Sequence, residues 1–216
     1  MHYHLEIIMP PTADVHADVT EILAPFDENG DDENCNARHG FWDFWTIGGR
    51  WSGEKLMAML GADREQAFRN TLADRGVTVS GFQSGKPTLK PQGQRTMVNA
   101  LWHEAFPDAP IQECPLFDCY KGDAGDIMLL RDMPKAMECE HVIIAGPDYT
   151  GMMLCAQHML RKSMWNGVSH QKSSWDGTVG SALLEWGEQL ASYKAEYAER
   201  VCPVSEWVSV TVDYHS

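Results

Sequence analysis

The sequence predicts an α+β fold with a mixed or antiparallel sheet, and three observations lead there. Residues His2–Met9 and Trp207–His215, at the two ends of the chain, alternate in polarity as half-buried strands do. Two short apolar runs, Ile127–Leu130 and Val142–Ala145, read as buried mid-chain strands. Between these lie stretches whose apolar residues recur every three or four positions. Terminal strands that pair within one sheet would tie both ends to the core. Helices on one face would then leave the other for an aromatic hairpin to cover.

Each element has a local reason. The first strand places His2, His4, Glu6 and Ile8 on one face and Tyr3, Leu5 and Ile7 on the other, and Pro10-Pro11 ends it. Val15, Val19, Ile22, Leu23 and Phe26 have helical spacing, with Thr12 or Asp14 as cap and Pro25 limiting the end. Asp27–Asn36 opens like a calcium loop, but Asp32 and Arg38 stand where an EF-hand needs Gly and Glu, so it reads as a solvated loop. Asp63 and Gln66 form a capping-box pattern ahead of Phe68 and Leu72, and Gly76 suits a C′ position. Val77-Thr78-Val79 reads as a strand, residues 84–94 as a flexible loop, and Met97–Ala105 as a helix. Pro107–Gly125 is turn-rich, and Met152–Trp165 is expected to be helical. Leu183, Trp186, Leu190, Tyr193, Tyr197 and Val201 predict a core helix from about Thr178 to Val201, stopped by Pro203.

The most distinctive stretch is Arg38–Gly53, with three of the eight tryptophans and four glycines. Gly48-Gly49 between apolar runs is a hairpin signal, because a type I′ turn needs two residues with positive φ. A hairpin over 41–53 would put Trp42, Phe44, Thr46 and Trp51 on one face as an aromatic slab. Asp43, Trp45, Ile47 and Arg50 would line the other.

With 216 residues, 44% of them apolar, the chain can bury a proper core as one large domain or one domain with an insertion. It reads as a single α+β domain over 1–216. No apolar run reaches the roughly 18–20 residues of a membrane span, and the start lacks the pattern of a signal peptide, so a cytoplasmic location is expected. Six scattered cysteines then read as free thiols. A net charge of −14 argues against direct DNA binding and suits solubility or a basic partner.

Two constellations could carry chemistry. His2 and His4 project from one face of the first strand, and Asp213 and His215 from one face of the last. If these strands are neighbours, three imidazoles and a carboxylate meet, a set adequate for a divalent metal or for general-base work. Near the Gly-Gly turn, Arg50 lies beside Trp45 and Trp51, with Arg38 and His39 close in sequence. An Arg fork grips phosphate while indole stacks on a base. The alternative is an Arg that bridges Asp43 or Glu54. Cys155-x-x-His158 and Cys114-x4-Cys119 have loose ligand spacing without the paired pattern of a zinc site. No P-loop, GxGxxG, GxSxG or HExxH is present, so no catalytic residue is assigned.

The opening His2–Ile7, the core Phe41–Gly53 and the close Val210–Ser216 together resemble a group of small tailed-phage proteins, of the kind carried by phages of actinobacteria. Their shared signature is aromatic-Asp-aromatic-aromatic-x-Ile-Gly-Gly-Arg-Trp. The resemblance implies an intracellular phage accessory protein acting on host metabolism, regulation or defence, and carries over no catalytic residue. The first expectation is a non-enzymatic protein with no cofactor, binding a host-derived partner or a small anionic, nucleotide-like ligand in counter-defence. A metal-dependent hydrolase built on His2, His4, Asp213 and His215 is the second. The third is an acidic inhibitor of a host protein.

Overall fold

A computed structural model describes residues 1–29, 42–77, 91–116, 125–145, 152–156, 168–171, 176–184 and 206–215. The chain divides into two compact units. One comprises Met1–Ile47 and Met128–Ser216; the other, Gly48–Ile127, is inserted within it.

The first unit is a seven-stranded mixed sheet. Its strands are β1 (His2–Met9), β2 (Phe44–Ile47), β3 (Ile127–Leu129), β4 (His141–Ala145), β5 (Met152–Ala156), β6 (Val168–Gln171) and β7 (Val208–His215). The order is β2-β7-β1-β4-β5-β6, with β3 also on β7. The terminal strands are therefore central neighbours. They pair antiparallel over their whole length, from His2 opposite His215 to Met9 opposite Val208. On its other side β1 pairs parallel with β4, so the sheet is mixed. β2 takes the far edge of β7, Phe44 opposite His215 and Ile47 opposite Val212. The Leu130 amide donates to Trp207 O at 2.7 Å at the other end of β7.

Residues directly opposite in a ladder share a face. Tyr3, Leu5, Ile7 and Met9 thus join Tyr214, Val212, Val210 and Val208, and helix α1 (Val15–Leu23) packs on this face through Val19, Ile22 and Leu23. Asp14 caps α1, its carboxylate accepting from the Ala17 amide at 3.0 Å. Pro25 lies in a short 3₁₀ turn that ends the helix.

The opposite face of β1 and β7 carries His2, His4, Glu6 and Ile8 against His215, Asp213, Thr211 and Ser209. This face is buried too: Glu6, Ile8 and Ser209 are fully inaccessible. Alternation alone reads such a face as solvated, because a buried polar row has the same pattern as an exposed one.

The inserted unit holds α2 (Glu54–Ala58), α3 (Ala62–Asp74) and α4 (Pro91–Ala105). Phe68 and Leu72 of α3 meet Val98, Leu101 and Trp102 of α4 in a separate core with Met57, Cys114 and Leu116. α3 begins at Ala62 after Gly61 with no side-chain cap, and Gln66 instead bonds Asn70, so the capping-box expectation fails there. Its end is as expected. Gly76 has φ 66°, its amide donates to Ala73 O, and the Val77 amide donates to Leu72 O, the two bonds of a Schellman motif.

Other expectations differ or fall outside the described residues. Residues 91–94, read as loop, open α4. Residues 152–156 form β5 and not a helix, because a sheet partner is available on β4, which overrides local periodicity. The C-terminal core helix begins as predicted: Thr178 caps it, its hydroxyl accepting from the Ser181 amide, and residues 179–184 are helical. Trp186 and Leu190 lie outside the described residues, as do Thr78, Val79, residues 84–90, Cys119 and His158. Cys114 and Cys139 are buried.

Truncating the contact between α1 and the sheet tests this architecture. Ile22 is fully buried, so Ile22→Ala should lower unfolding free energy by about 2–5 kcal/mol, read as a shifted urea midpoint.

Candidate functional site

The Gly48–Gly53 stretch is not a hairpin. β2 ends at Ile47, and Gly49–Trp51 turn as a 3₁₀ helix that leads into α2. Both glycines do have positive φ, 72° and 55°, as the Gly-Gly pair predicted. What redirects the chain is Asp126. Its carboxylate accepts from Ser52 Oγ at 2.8 Å and from the Gly53 amide at 3.2 Å, and its carbonyl accepts from the buried Lys55 Nζ at 2.9 Å. A Cβ on Gly48 would lie 2.2 Å from Asp126 Oδ2. The turn is thus moulded around one carboxylate at the two ends of the insertion. Gly48, at φ 72° and ψ −77°, has the positive-φ γ-turn geometry that side chains resist.

This changes the roles expected for the aromatic stretch. Trp45 and Ile47 pack against the α1 core, and His16 lies 5.1 Å from the Trp45 ring, so Trp45 is a packing residue. Trp42 packs there as well, donating Nε1 to Leu23 O at 2.9 Å, and Phe44 is exposed. Among the described residues no aromatic slab covers the sheet, because β2 lies within it. Arg50 and Trp51 belong to the inserted unit, Arg50 exposed and Trp51 half-buried, whereas Trp45 belongs to the sheet unit. Arg38 and His39 lie outside the described residues. The acids considered as partners for Arg50 have other partners: Asp43 holds His215, and Glu54 holds Arg69 at 2.5 Å.

The terminal strands do bring their titratable residues together. Along one face of the β1–β7 ladder stand three imidazoles, each paired with a carboxylate. His2 Nδ1 lies 2.8 Å from Asp213 Oδ1, His4 Nε2 lies 2.9 Å from Glu6 Oε1, and His215 Nδ1 lies 2.8 Å from Asp43 Oδ1. The His2 and His215 rings meet edge-on, centroids 5.1 Å apart. Asp43 is held beside β7 by its own amide, which donates to His215 O at 3.0 Å.

Depth divides the row in two. At the inner end Glu6 is fully buried and accepts from Ser209 Oγ and Thr211 Oγ1, both at 2.7 Å, besides facing His4. A carboxylate taken out of water needs such donors, and three surround it here. The His4 amide in turn donates to Glu140 Oε2 at 2.7 Å. At the outer end the side chains of His2 and His215 remain 25% and 40% accessible. An ionised carboxylate can only accept, so Nδ1 is the donor in both rings. That leaves Nε2 of each imidazole, which has no hydrogen-bond partner among the described residues.

The four-residue metal set of His2, His4, Asp213 and His215 is therefore not assembled. His4 is engaged by Glu6 and Asp213 by His2, and no cluster of three or more His, Cys, Asp or Glu side chains disposed to hold a metal occurs among the described residues. Across the sheet, Tyr214 Oη lies 2.8 Å from His141 Nδ1 and its ring stacks on Tyr3. Burial, reinforced by Tyr3 and Glu140, raises the Tyr214 pKa, so the phenol keeps its proton at neutral pH.

Sequence reasoning missed Glu6 and Asp43. The available signal for Glu6 was the pair of hydroxyls, Ser209 and Thr211, on the same face of the partner strand. Asp43 offered none, because its contact depends on β2 joining β7. No helix among the described residues is long and apolar enough to cross a membrane. No family model, curated protein or solved structure matches the chain.

Two substitutions test these assignments. Gly48→Ala, strained in φ and overlapping Asp126, should cost more than about 3 kcal/mol, whereas Gly76→Ala, at positive φ in open space, should cost about 1–2 kcal/mol. Glu6→Ala removes the acceptor shared by the His4, Ser209 and Thr211 side chains and should cost about 3 kcal/mol or more in a chemical denaturation curve.

Proposed function

We propose that the protein is a non-enzymatic accessory protein of the tailed-phage type, acting in the host cytoplasm by binding a small host-derived anionic ligand such as a nucleotide. The site is the outer end of the β1–β7 ladder, at His2 and His215. A single observation supports this placement: two part-exposed imidazoles stand in a T-shaped pair, each with Nδ1 anchored on a carboxylate and Nε2 left for a ligand. Anchoring fixes the ring orientation in advance, so less conformational freedom is lost on binding. A charged ring donates Nε2–H to a phosphate oxygen. Arg50 is not required in this reading.

A hydrolase is the second reading, favoured by the same dyads. An imidazole whose Nδ1–H is held by a carboxylate presents a basic Nε2, the arrangement of a general base. Turnover of a phosphoester or amide substrate, lost in His215→Ala, would favour this reading over binding alone.

Calorimetric titration of the parent, His215→Ala and Arg50→Ala proteins with a panel of nucleoside mono- and diphosphates tests the binding reading. Loss of one charge-assisted contact, worth about 1.5–3 kcal/mol, should weaken binding about ten- to a hundred-fold in His215→Ala and leave Arg50→Ala unchanged. Loss confined to Arg50→Ala would return the site to the Gly-Gly turn. No heat with any nucleotide would remove the ligand reading.

A further inference from the structure

We infer that His2 and His215 form a two-histidine site for a borderline divalent cation of the zinc class, with Asp213 and Asp43 orienting the ligands. The inference rests on the reading of this ladder end as the ligand site, and names what occupies it first.

Tautomer is the first ground. With Nδ1 donating to an ionised carboxylate, a neutral imidazole carries its lone pair on Nε2. The imidazole–carboxylate pair is the recurring environment of metal-bound histidine, because the carboxylate fixes the ring and raises its donor strength. Both rings here have that partner, at 2.8 Å in each case.

Spacing is the second. Two imidazoles sharing one tetrahedral ion at about 2.0–2.1 Å per Zn–N bond hold their ring centroids about 5 Å apart. The His2 and His215 centroids are 5.1 Å apart. Their place opposite one another in the ladder sets this separation.

Charge and ligand type are the third. The chain carries a net charge of −14, and two carboxylates back this site, so a cation is attracted there. Nitrogen donors select zinc, cobalt, nickel or copper over magnesium or calcium, which take oxygen. Two protein ligands leave further coordination positions to water or to phosphate oxygens. A bound cation would thus supply positive charge for an anionic ligand on an acidic protein.

The experiment is a titration of the full, tag-free, chelator-treated chain with zinc and with cobalt, followed by calorimetry and by cobalt visible absorption. One equivalent should bind. His2→Ala and His215→Ala should each weaken binding at least ten-fold, and Asp43→Asn should weaken it about ten- to a hundred-fold while leaving the fold intact. Long-range proton–nitrogen spectra of the parent provide a readout that needs no variant: zinc should shift Nε2 of His2 and His215 and leave His141 unmoved. Absence of uptake, uptake unchanged in His2→Ala/His215→Ala, or shifts confined to other histidines would overturn the site. Nucleotide titration in excess chelator separates this claim from the ligand reading. Full-strength nucleotide binding without metal would overturn the cation's part in that binding, and zinc uptake with no nucleotide binding would support the cation site while removing the ligand reading.

Discussion

The antiparallel pairing of the first and last strands is the constraint on which the rest of the sheet depends. β1 and β7 pair over eight residues; β2, β3 and β4 attach directly to one of them, and β5 and β6 follow through β4. Register fixes the faces, because a slip by one residue would exchange them. As observed, Leu5, Ile7 and Met9 meet α1, while His4, Glu6 and Ile8 are buried on the other side. A one-residue slip would place Glu6 in the apolar α1 core without its hydroxyl donors. The buried carboxylate therefore penalises wrong register as effectively as the apolar residues reward the right one.

The inserted unit has an organising interaction of its own. Gly48–Ile127 is a contiguous excursion with a separate core. Its opening residues, Ser52, Gly53 and Lys55, all bond Asp126 near its end. A long loop that leaves and rejoins a domain must have its ends brought together, at an entropic cost that grows slowly with length. The Asp126 clamp holds those ends. The Gly-rich signature is accounted for by this closure: Gly48 admits the carboxylate and Gly53, at φ 86°, starts α2.

Along the histidine row, burial separates structure from candidate function. His4 and Glu6 are sealed and satisfied, and their pairing serves the fold. His2 and His215 use the same chemistry where solvent reaches them, each with Nδ1 on a carboxylate. One repeated device, an imidazole fixed by a carboxylate, thus serves register at depth and stands open to solvent at the rim.

Sequence patterns by themselves determined the α+β class, the terminal strands, the buried β4 and the helix end at Gly76, and narrowed the α1 cap to Thr12 or Asp14, because each depends on neighbours in sequence. It also placed His2, His4, Asp213 and His215 on matched faces, since alternation and antiparallel pairing suffice for that. Only tertiary structure decided the partners. Glu6 acquired its hydroxyl donors Ser209 and Thr211 through β1–β7 pairing, and Asp43 its histidine through β2–β7 pairing, each across more than 170 positions of chain. Trp45 packs against the α1 core for the same reason. Gly48-Gly49 carried the need for positive φ in its composition, but a turn's direction is set by what the following residues bind. That was Asp126, 74 residues from Ser52. Local rules see conformational preference; they do not see a carboxylate delivered from elsewhere in the chain.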